Sequence, residues 1–276
     1  MRLRLITYNI HRAIGVDRRF RPERIASILA HYRADLVLLQ EVDEGVPRSR
    51  ELDLARELAA ALGLPHVAVG HNVTLKKGRY GNATLSRFPI LRERNIDLTI
   101  DESPAGAEAL SRLSRRRRQV MTAAGGRRSL IRRGCQHTTL GIGRPGEERP
   151  IEVFNLHLGL SARERERQVG VLVNSEEFRG VGPEVPVVVA GDFHDWRSRL
   201  RPIYTEVFGF GCATDRRGRG VDRALRTYPS FSPQGGLDRI YHHGPLAAIQ
   251  VRVCRLQVSR VASDHLPVIA EFELRG

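Results

Sequence analysis

The sequence is poor in the features that mark membrane, secreted and metal-clip proteins. No apolar run in its 276 residues approaches the roughly 20 that a membrane-spanning helix needs. Residues 1–9 lack the long apolar segment and cleavage site of a secretory signal, and they alternate as a first strand does. The three cysteines lie far apart without a Cys-x-x-Cys pair, which argues against zinc or dithiol chemistry. We therefore expect a cytoplasmic protein without a transmembrane segment, whose cysteines serve packing.

Lysine is almost absent, since Lys76 and Lys77 are the only two, so arginine carries the net charge of +14. Such a charge predicts polyanionic partners, namely nucleic acid, an acidic membrane surface or phosphorylated substrates. The segment from Ser111 to Gly134 contains no acid and supplies +9 of the total. Its arginines are Arg112, Arg115, Arg116, Arg117, Arg118, Arg127, Arg128, Arg132 and Arg133. Outside this segment the chain is only mildly basic.

Residues 101–128 show no sustained period, so we predict a long arginine-rich loop insertion at about 101–133. In one interpretation Arg115, Arg116, Arg117 and Arg118 contact a phosphate backbone or an anionic lipid, with salt-dependent affinity. A solvated insertion without a ligand is an equally supported interpretation. No aromatic residue is interleaved, which argues against a base-stacking platform.

The remaining chain alternates between strand-like and helix-like patterns. Residues 3–9 alternate as a strand, Pro22 opens an amphipathic helix, and residues 35–41 form an apolar strand, which together make a crossover unit. Further helices are predicted at 49–62, 161–178 and 198–208. Neither an internal repeat nor a linker is visible, so we expect one α/β domain over residues 1–276 with many strands.

The stretch from Val187 to Trp196 is the first candidate for a functional site. Four apolar residues run into Gly191, Asp192, His194 and Asp195, as expected of a buried strand that delivers acids to one edge of a sheet. Taken alone, the same stretch is better explained as a strand followed by an acidic turn, because Asp commonly begins turns.

Five other strand-like segments share this property. Each has a polar, chemically capable residue at or beside its end, where open α/β sheets place ligands. These residues are Asn9, Glu41, His157, Asp238, and Asp264 with His265. Six coincidences on separate strands are hard to assign to turns. Acids for a hard cation, histidines for proton transfer and an orienting amide favour metal-assisted attack of water on a phosphate ester.

These segments also form an ordered set of motifs. They are Thr7-Tyr8-Asn9-Ile10, Leu39-Gln40-Glu41-Val42, Tyr80-Gly81-Asn82-Ala83-Thr84-Leu85-Ser86, Asn155-Leu156-His157, Gly191-Asp192-Phe193, Leu237-Asp238-Arg239-Ile240 and Ser263-Asp264-His265-Leu266-Pro267. In this order the chain resembles the endonuclease/exonuclease/phosphatase superfamily over nearly its whole length. The resemblance implies a DNase I-like fold, a four-layer α/β/β/α sandwich of two mixed β-sheets flanked by helices.

The resemblance also implies a divalent cation at one rim of the sandwich. Mg²⁺ is the expected ion and Mn²⁺ the alternative. Glu41 would hold the metal, with Asn9 and Asp264 beside it.

Catalytic roles follow from the same resemblance. Asp192 would orient or deprotonate the attacking water. His265, oriented by Asp238, would act as a general base or hydrogen-bond to the phosphate. His157 would stabilise phosphoryl oxygens or protonate the leaving group, and Asn82 would contact the substrate.

His194 departs from the family pattern, which usually has Asn two residues after the Asp of Gly-Asp-Phe. Asn offers a neutral donor, whereas His supplies one N–H and titrates near neutral pH. Either the catalytic site works with a changed pH dependence, or it is impaired. Every other matched position keeps a chemically competent residue, so we favour a working enzyme in which His194 takes part.

Two functional hypotheses remain. The first is a metal-dependent phosphodiesterase or nuclease that acts on nucleic acid or a phospholipid head group. The alternative is a catalytically weak protein that binds DNA or anionic lipid through the arginines of residues 111–133.

Overall fold

Two six-stranded β-sheets form the centre of the structure, a computed structural model that describes residues 1–100, 132–144, 146–215 and 224–275. In chain order their strands are β1 (Arg2–Asn9), β2 (Leu36–Glu44), β3 (His66–Thr74), β4 (Arg79–Ser86), β5 (Ile90–Asp97), β6 (Gly134–Ile142), β7 (Arg149–His157), β8 (Val187–Asp192), β9 (Gly211–Cys212), β10 (Asp238–His243), β11 (Leu246–Val253) and β12 (Val268–Leu274). One sheet has the order β11-β12-β1-β2-β4-β3, and the other has the order β5-β6-β7-β8-β10-β9. Each sheet contains one parallel pair, β1 with β2 and β7 with β8, so both sheets are mixed.

Helices cover the outer faces of both sheets. Asp53 and Ser161 cap two of them by accepting the backbone N–H groups of Arg56 and Glu164. The α-helices of the described residues are α1 (Pro22–Tyr32), α2 (Leu54–Leu62), α3 (Ala162–Asn174), α4 (Glu176–Arg179) and α5 (Ser259–Ala262). No helix in the described ranges is long and apolar enough to cross a membrane.

Three predicted helices differ from the structure. The first begins at Leu54 instead of residue 49, after the Asp53 cap. The second is interrupted at Ser175, whose backbone is extended and whose hydroxyl accepts from the Phe178 N–H. The third, predicted over 198–208, is reduced to a π-helical turn at Ile203–Val207. The Asp195 carboxylate instead accepts backbone N–H groups of the next turn, which holds that segment in a loop.

Three apolar clusters establish the layers. One packs α1 and α2 against the first sheet, and another packs α3 against the second sheet. The third fills the space between the sheets with side chains that include Leu3, Leu5, Leu36, Leu38, Ile151, Val153, Val188 and Ala190. Complete burial of each such Leu, Ile or Val contributes on the order of 1.5–3 kcal/mol. The four-layer α/β/β/α sandwich predicted from the family resemblance is therefore confirmed.

The inward-facing side chains change character along the strands. On β1 the buried series Leu3, Leu5, Thr7 and Asn9 passes from apolar to polar, because alternate residues of a strand share one face. Gln40 on β2 continues the polar layer by donating to Asn155 of β7 at 2.8 Å. Buried polar groups are costly unless they are hydrogen-bonded, so these amides join the two sheets in one register. Beyond this layer the strands reach the rim.

Candidate active site

Asp192 lies at the centre of the rim because of strand register. It ends β8, where it pairs with His157 at the end of the parallel β7 and with Asp238 at the start of the antiparallel β10. The sequence-based expectation placed these residues at strand ends, but Asp238 begins its strand and Asp264 precedes β12. The parallel strands β7 and β8 both end at the rim. A strand antiparallel to them, such as β10, therefore begins there.

The Asp192 carboxylate is fully buried among nitrogen atoms. Its Oδ2 accepts a hydrogen bond from Asn9 Nδ2 at 3.0 Å. Three imidazole Nε2 atoms also face Oδ2, those of His265 at 3.5 Å and of His157 and His194 at 3.6 Å. Burial alone would raise the pKa of Asp192, but the three histidines and the Asn9 hydrogen bond outweigh it and lower that pKa. Asp192 is therefore an ionised carboxylate in a site with little access to water.

His265 is held by a second buried carboxylate. Its Nδ1 lies 2.9 Å from Asp238 Oδ2. Burial would lower the pKa of His265, but the negative charges of Asp238 and Asp192 raise it to about 10. His265 is consequently protonated at neutral pH, with Nδ1–H donating to Asp238 and Nε2–H directed toward Asp192.

His157 and His194 have different environments. Burial, together with the positive charge of Arg133, lowers the pKa of His157 well below its usual value, so this imidazole is neutral. The ring of His194 is oriented by a 2.9 Å hydrogen bond between its Nδ1 and the backbone oxygen of Leu158. The two rings lie with their centroids 5.1 Å apart.

Glu41 lies on the other sheet, in a bulge of β2 against β4. Its Oε2 is buried, lies 3.5 Å from Arg12 Nε and has no hydrogen-bond partner in the described part of the chain. A buried carboxylate oxygen without a hydrogen-bond partner fits a hard divalent cation, which prefers oxygen ligands. Asp264, also predicted as a ligand, accepts from the Ser263 hydroxyl at 3.3 Å.

Three residues of this rim have left-handed backbones. Arg12, Glu41 and His194 have φ angles of 62°, 59° and 49°, in the left-handed region that disfavours side chains other than Gly and Asn. Each costs about 1–3 kcal/mol, and such residues persist where the surrounding structure holds them in place. All three therefore have backbones fixed in orientations that aim their side chains into the rim.

The predicted substrate contacts have a different outcome. Asn82 is buried, and its Nδ2 lies 3.1 Å from the backbone oxygens of both Gly134 and Asn155. This amide nitrogen thus joins the two sheets, and a substrate contact of Asn82 remains a prediction. The run from Arg115 to Arg118 lies outside the described residues.

Two residues near the site, Arg12 and Tyr228, were not predicted to belong to it, and Arg133 was predicted only as part of the basic segment. Arg12 faces Glu41, and a basic residue so close to the tip of β1 was a usable signal. Arg133 is the last arginine of the basic segment, and its buried Nε has no hydrogen-bond partner among the residues described. The Tyr228 ring lies 5.0 Å from the His265 ring, and no sequence pattern pointed to that contact.

Comparison with known proteins agrees with this geometry. The model of the endonuclease/exonuclease/phosphatase family matches residues 6–265. The chain belongs to this family. It is 30% identical over 280 residues to YbhP, an uncharacterized protein of Escherichia coli strain K12, covering 98% of this chain and 96% of YbhP.

Two solved structures share the fold of this chain. A family protein from Beutenbergia cavernae superimposes with a TM-score of 0.69 at 20% identity, covering 100% of this chain and 72% of that one. A mannosyl-6-phosphatase from Bacteroides thetaiotaomicron superimposes with a TM-score of 0.65 at 16% identity, covering 98% and 99%. Members of the endonuclease/exonuclease/phosphatase family are generally metal-dependent hydrolases of phosphoester bonds.

Proposed function

We propose that this protein is a Mg²⁺-dependent phosphodiesterase in which Asp192 orients the attacking water. The observation that carries the proposal is the buried, ionised Asp192 carboxylate, which has one amide and three imidazoles around a single oxygen. A carboxylate in such a site is a strong hydrogen-bond acceptor, because water does not screen it. It is suited to orient a nucleophilic water by accepting its hydrogen bond, whereas its lowered pKa makes it a weak base.

The cation would be held at the same rim, beside Glu41 on the other sheet. Glu41 would supply Oε2, which has no hydrogen-bond partner among the described residues, and Asn9 and Asp264 would supply further oxygen ligands. When bound, Mg²⁺ polarises the phosphoryl oxygens and neutralises developing charge. Mn²⁺ has similar ligand preferences and is the expected substitute.

The protonation states of His265 and His157 suggest different roles for the two imidazoles. His265 is cationic at neutral pH, which suits it to donate Nε2–H to a phosphate oxygen better than to act as a base. Asp238 keeps that imidazole oriented through the 2.9 Å contact to Nδ1. Neutral His157 contributes a polar ring nitrogen, Nε2, that has no hydrogen-bond partner among the described residues.

Arginine side chains supply further positive charge. Arg12 and Arg133 each have a buried Nε without a hydrogen-bond partner in the described ranges. A phosphate group satisfies such donors with short, charge-assisted hydrogen bonds. Arg12 faces Glu41, and the charge of Arg133 acts on His157, so both arginines favour an anionic substrate at this rim.

A phosphodiester of nucleic acid or of a phospholipid head group is the proposed substrate class. The fold is shared with a mannosyl-6-phosphatase, so a sugar phosphomonoester is the natural competitor in any test. The catalytic groups act on the phosphoester common to all these molecules, whereas the rim residues select the rest of the substrate.

The test is a hydrolysis panel with metal-stripped protein, to which Mg²⁺ or Mn²⁺ is added. It covers plasmid DNA, RNA, abasic DNA, sphingomyelin, inositol phosphates, mannose 6-phosphate and bis-nitrophenyl phosphate. Asp192→Asn serves as the blank and His66→Asn as the matched control, because His66 begins β3 at the opposite end of the sheet. We expect metal-dependent cleavage of a diester that disappears in Asp192→Asn; equal rates in the blank and the parent would contradict the proposal.

A further inference from the structure

Three potential ligand atoms converge beside the proposed catalytic carboxylate. One donor atom each from His157, Asp192 and His194 lies within 4.8 Å of the other two. Nε2 of His157 and Nε2 of His194 are both 3.6 Å from Asp192 Oδ2. All three side chains come from the ends of the parallel pair β7 and β8 or from the loop directly after it.

Among the described residues neither imidazole Nε2 atom makes a hydrogen bond. His157 is 2% exposed, and its Nε2 has no hydrogen-bond partner among the described residues. The Nδ1 of His194 lies 2.9 Å from the backbone oxygen of Leu158, which can only accept a hydrogen bond, so Nε2 is the nitrogen that faces the Asp192 carboxylate. A lone pair and a carboxylate oxygen that face each other are stabilised by a shared cation.

We propose that His157, Asp192 and His194 bind a divalent transition-metal ion of the zinc class, at a position separate from the oxygen ligands around Glu41. Two imidazoles and one carboxylate are a donor set that Zn²⁺ and neighbouring ions prefer, whereas Mg²⁺ prefers oxygen ligands. His194 makes the difference, because the Asn usual at its position offers no imidazole nitrogen.

The observed spacing fits such an ion. Zinc–nitrogen and zinc–oxygen distances of about 2.0–2.2 Å place tetrahedral ligand atoms roughly 3.4 Å apart. The two distances of 3.6 Å to Asp192 are close to that value, and a small movement of the imidazoles would complete the set. Three protein ligands leave a position open for water or a phosphate oxygen.

A second set of three residues shares Asp192 but is less suited to a metal. It consists of Asp192, Asp238 and His265. His265 Nδ1 and Asp238 Oδ2 already hydrogen-bond to each other at 2.9 Å, so these two atoms are engaged. In the set containing His194 both imidazole Nε2 atoms lie 3.6 Å from Asp192 Oδ2, beyond hydrogen-bond distance, so this set is the better site.

Binding of the ion does not depend on the proposed reaction, but its consequence rests on the proposed function. The ion would use Asp192 Oδ2, the atom proposed to orient the attacking water. Zinc-class ions are therefore expected to inhibit the Mg²⁺-dependent hydrolysis.

The test is a titration of metal-stripped protein with Co²⁺ in excess Mg²⁺, followed by the visible absorption that Co²⁺ gains from nitrogen ligands. The parent is expected to bind one Co²⁺ that Zn²⁺ displaces. His194→Asn should weaken this binding at least about tenfold, since loss of even an outer-shell partner costs about 10–100-fold. His66→Asn and Glu41→Gln should bind Co²⁺ as the parent does.

A crystal soaked in Zn²⁺ locates the ion directly. The expected result is an anomalous peak between the His157, Asp192 and His194 side chains, and thermal unfolding confirms that His194→Asn and the second variant His194→Gln are folded. Unchanged Co²⁺ affinity in both folded variants, absence of Co²⁺ binding by the parent, or a peak at Glu41 alone would each overturn the proposal. None of these readouts requires the protein to hydrolyse a phosphodiester.

Discussion

At the rim of the sandwich each sheet presents a carboxylate at the end of its parallel strand pair, but the two carboxylates have different surroundings. On the glutamate side, which comprises Asn9, Arg12 and Glu41, the parallel pair β1 and β2 ends beside a partly exposed carboxylate that faces an arginine. On the histidine side, which comprises His157, Asp192 and His194, the parallel pair β7 and β8 ends beside a fully buried carboxylate. The first arrangement suits exchange of a hydrated hard cation, and the second suits control of protons. Burial and neighbouring nitrogens, rather than the carboxylate itself, make the difference.

The largest effect is expected from neutralising the histidine side. Asp192→Asn keeps the shape of the side chain but removes the negative charge that orients the water and faces the three histidines. We expect kcat for bis-nitrophenyl phosphate to fall about 10²–10³-fold, the range for loss of one preorganised electrostatic group. A fall of less than about threefold would show that Asp192 is not the water-orienting residue.

Glu41→Gln tests the glutamate side with a matched neutral isostere. The expected result is a rise in the Mg²⁺ concentration needed for half-maximal rate, with activity partly restored at high Mg²⁺, because one oxygen ligand loses its charge. In Asp192→Asn added Mg²⁺ should restore nothing. Equal Mg²⁺ dependence in Glu41→Gln and the parent would place the cation elsewhere.

The two arginines offer a finer comparison. Arg12→Gln and Arg133→Gln are each expected to lower kcat/KM about tenfold, the cost of one hydrogen bond between charged groups. Only Arg133→Gln should raise the pKa of His157, because the charge of Arg133 contributes to holding it down. Proton NMR titration of the imidazoles measures this difference, and an equal shift in both variants would contradict it.

The pH dependence of stability tests the buried pair of Asp238 and His265. The pKa of His265 is raised from about 6.5 in unfolded chains to about 10 in the folded protein. The folded state therefore binds the extra proton, and this contribution is complete below about pH 6.5. It is lost as pH rises toward about 10. Urea unfolding of metal-free protein should show a stability difference between the parent and His265→Gln that shrinks across this window; a constant difference would exclude the protonated pair.

The smallest effect on catalysis is expected from the basic segment. Replacement of Arg115, Arg116, Arg117 and Arg118 by Gln should leave hydrolysis of bis-nitrophenyl phosphate unchanged. If the segment contacts a polyanion, the same variant binds DNA or anionic vesicles with a weaker salt dependence. Unchanged binding supports the solvated insertion. Loss of hydrolysis of the small diester would instead tie these arginines to the catalytic centre.

Much of the site was predictable because its residues follow recognisable strands. Asn9, His157 and Asp192 end alternating or apolar segments, and the structure places their side chains together as expected. The predicted helix over 198–208 failed because Asp195 uses its carboxylate on local backbone N–H groups, an interaction that helical periodicity does not reveal. The role of Asn82 between the sheets was equally hidden, since it depends on backbone oxygens that are 52 and 73 residues away.

The sequence by itself determined which side chains of one strand share a face, because alternation along a strand assigns every second side chain to the same face. On β1 this rule alone places Leu3, Leu5, Thr7 and Asn9 in one inward row. Only the tertiary structure decided what these groups do chemically. Register places Asp192 beside His157 and Asp238, and burial among charges from distant strands sets which of them carries a proton. Protonation follows from the surroundings of a group, and those surroundings exist only in the folded chain.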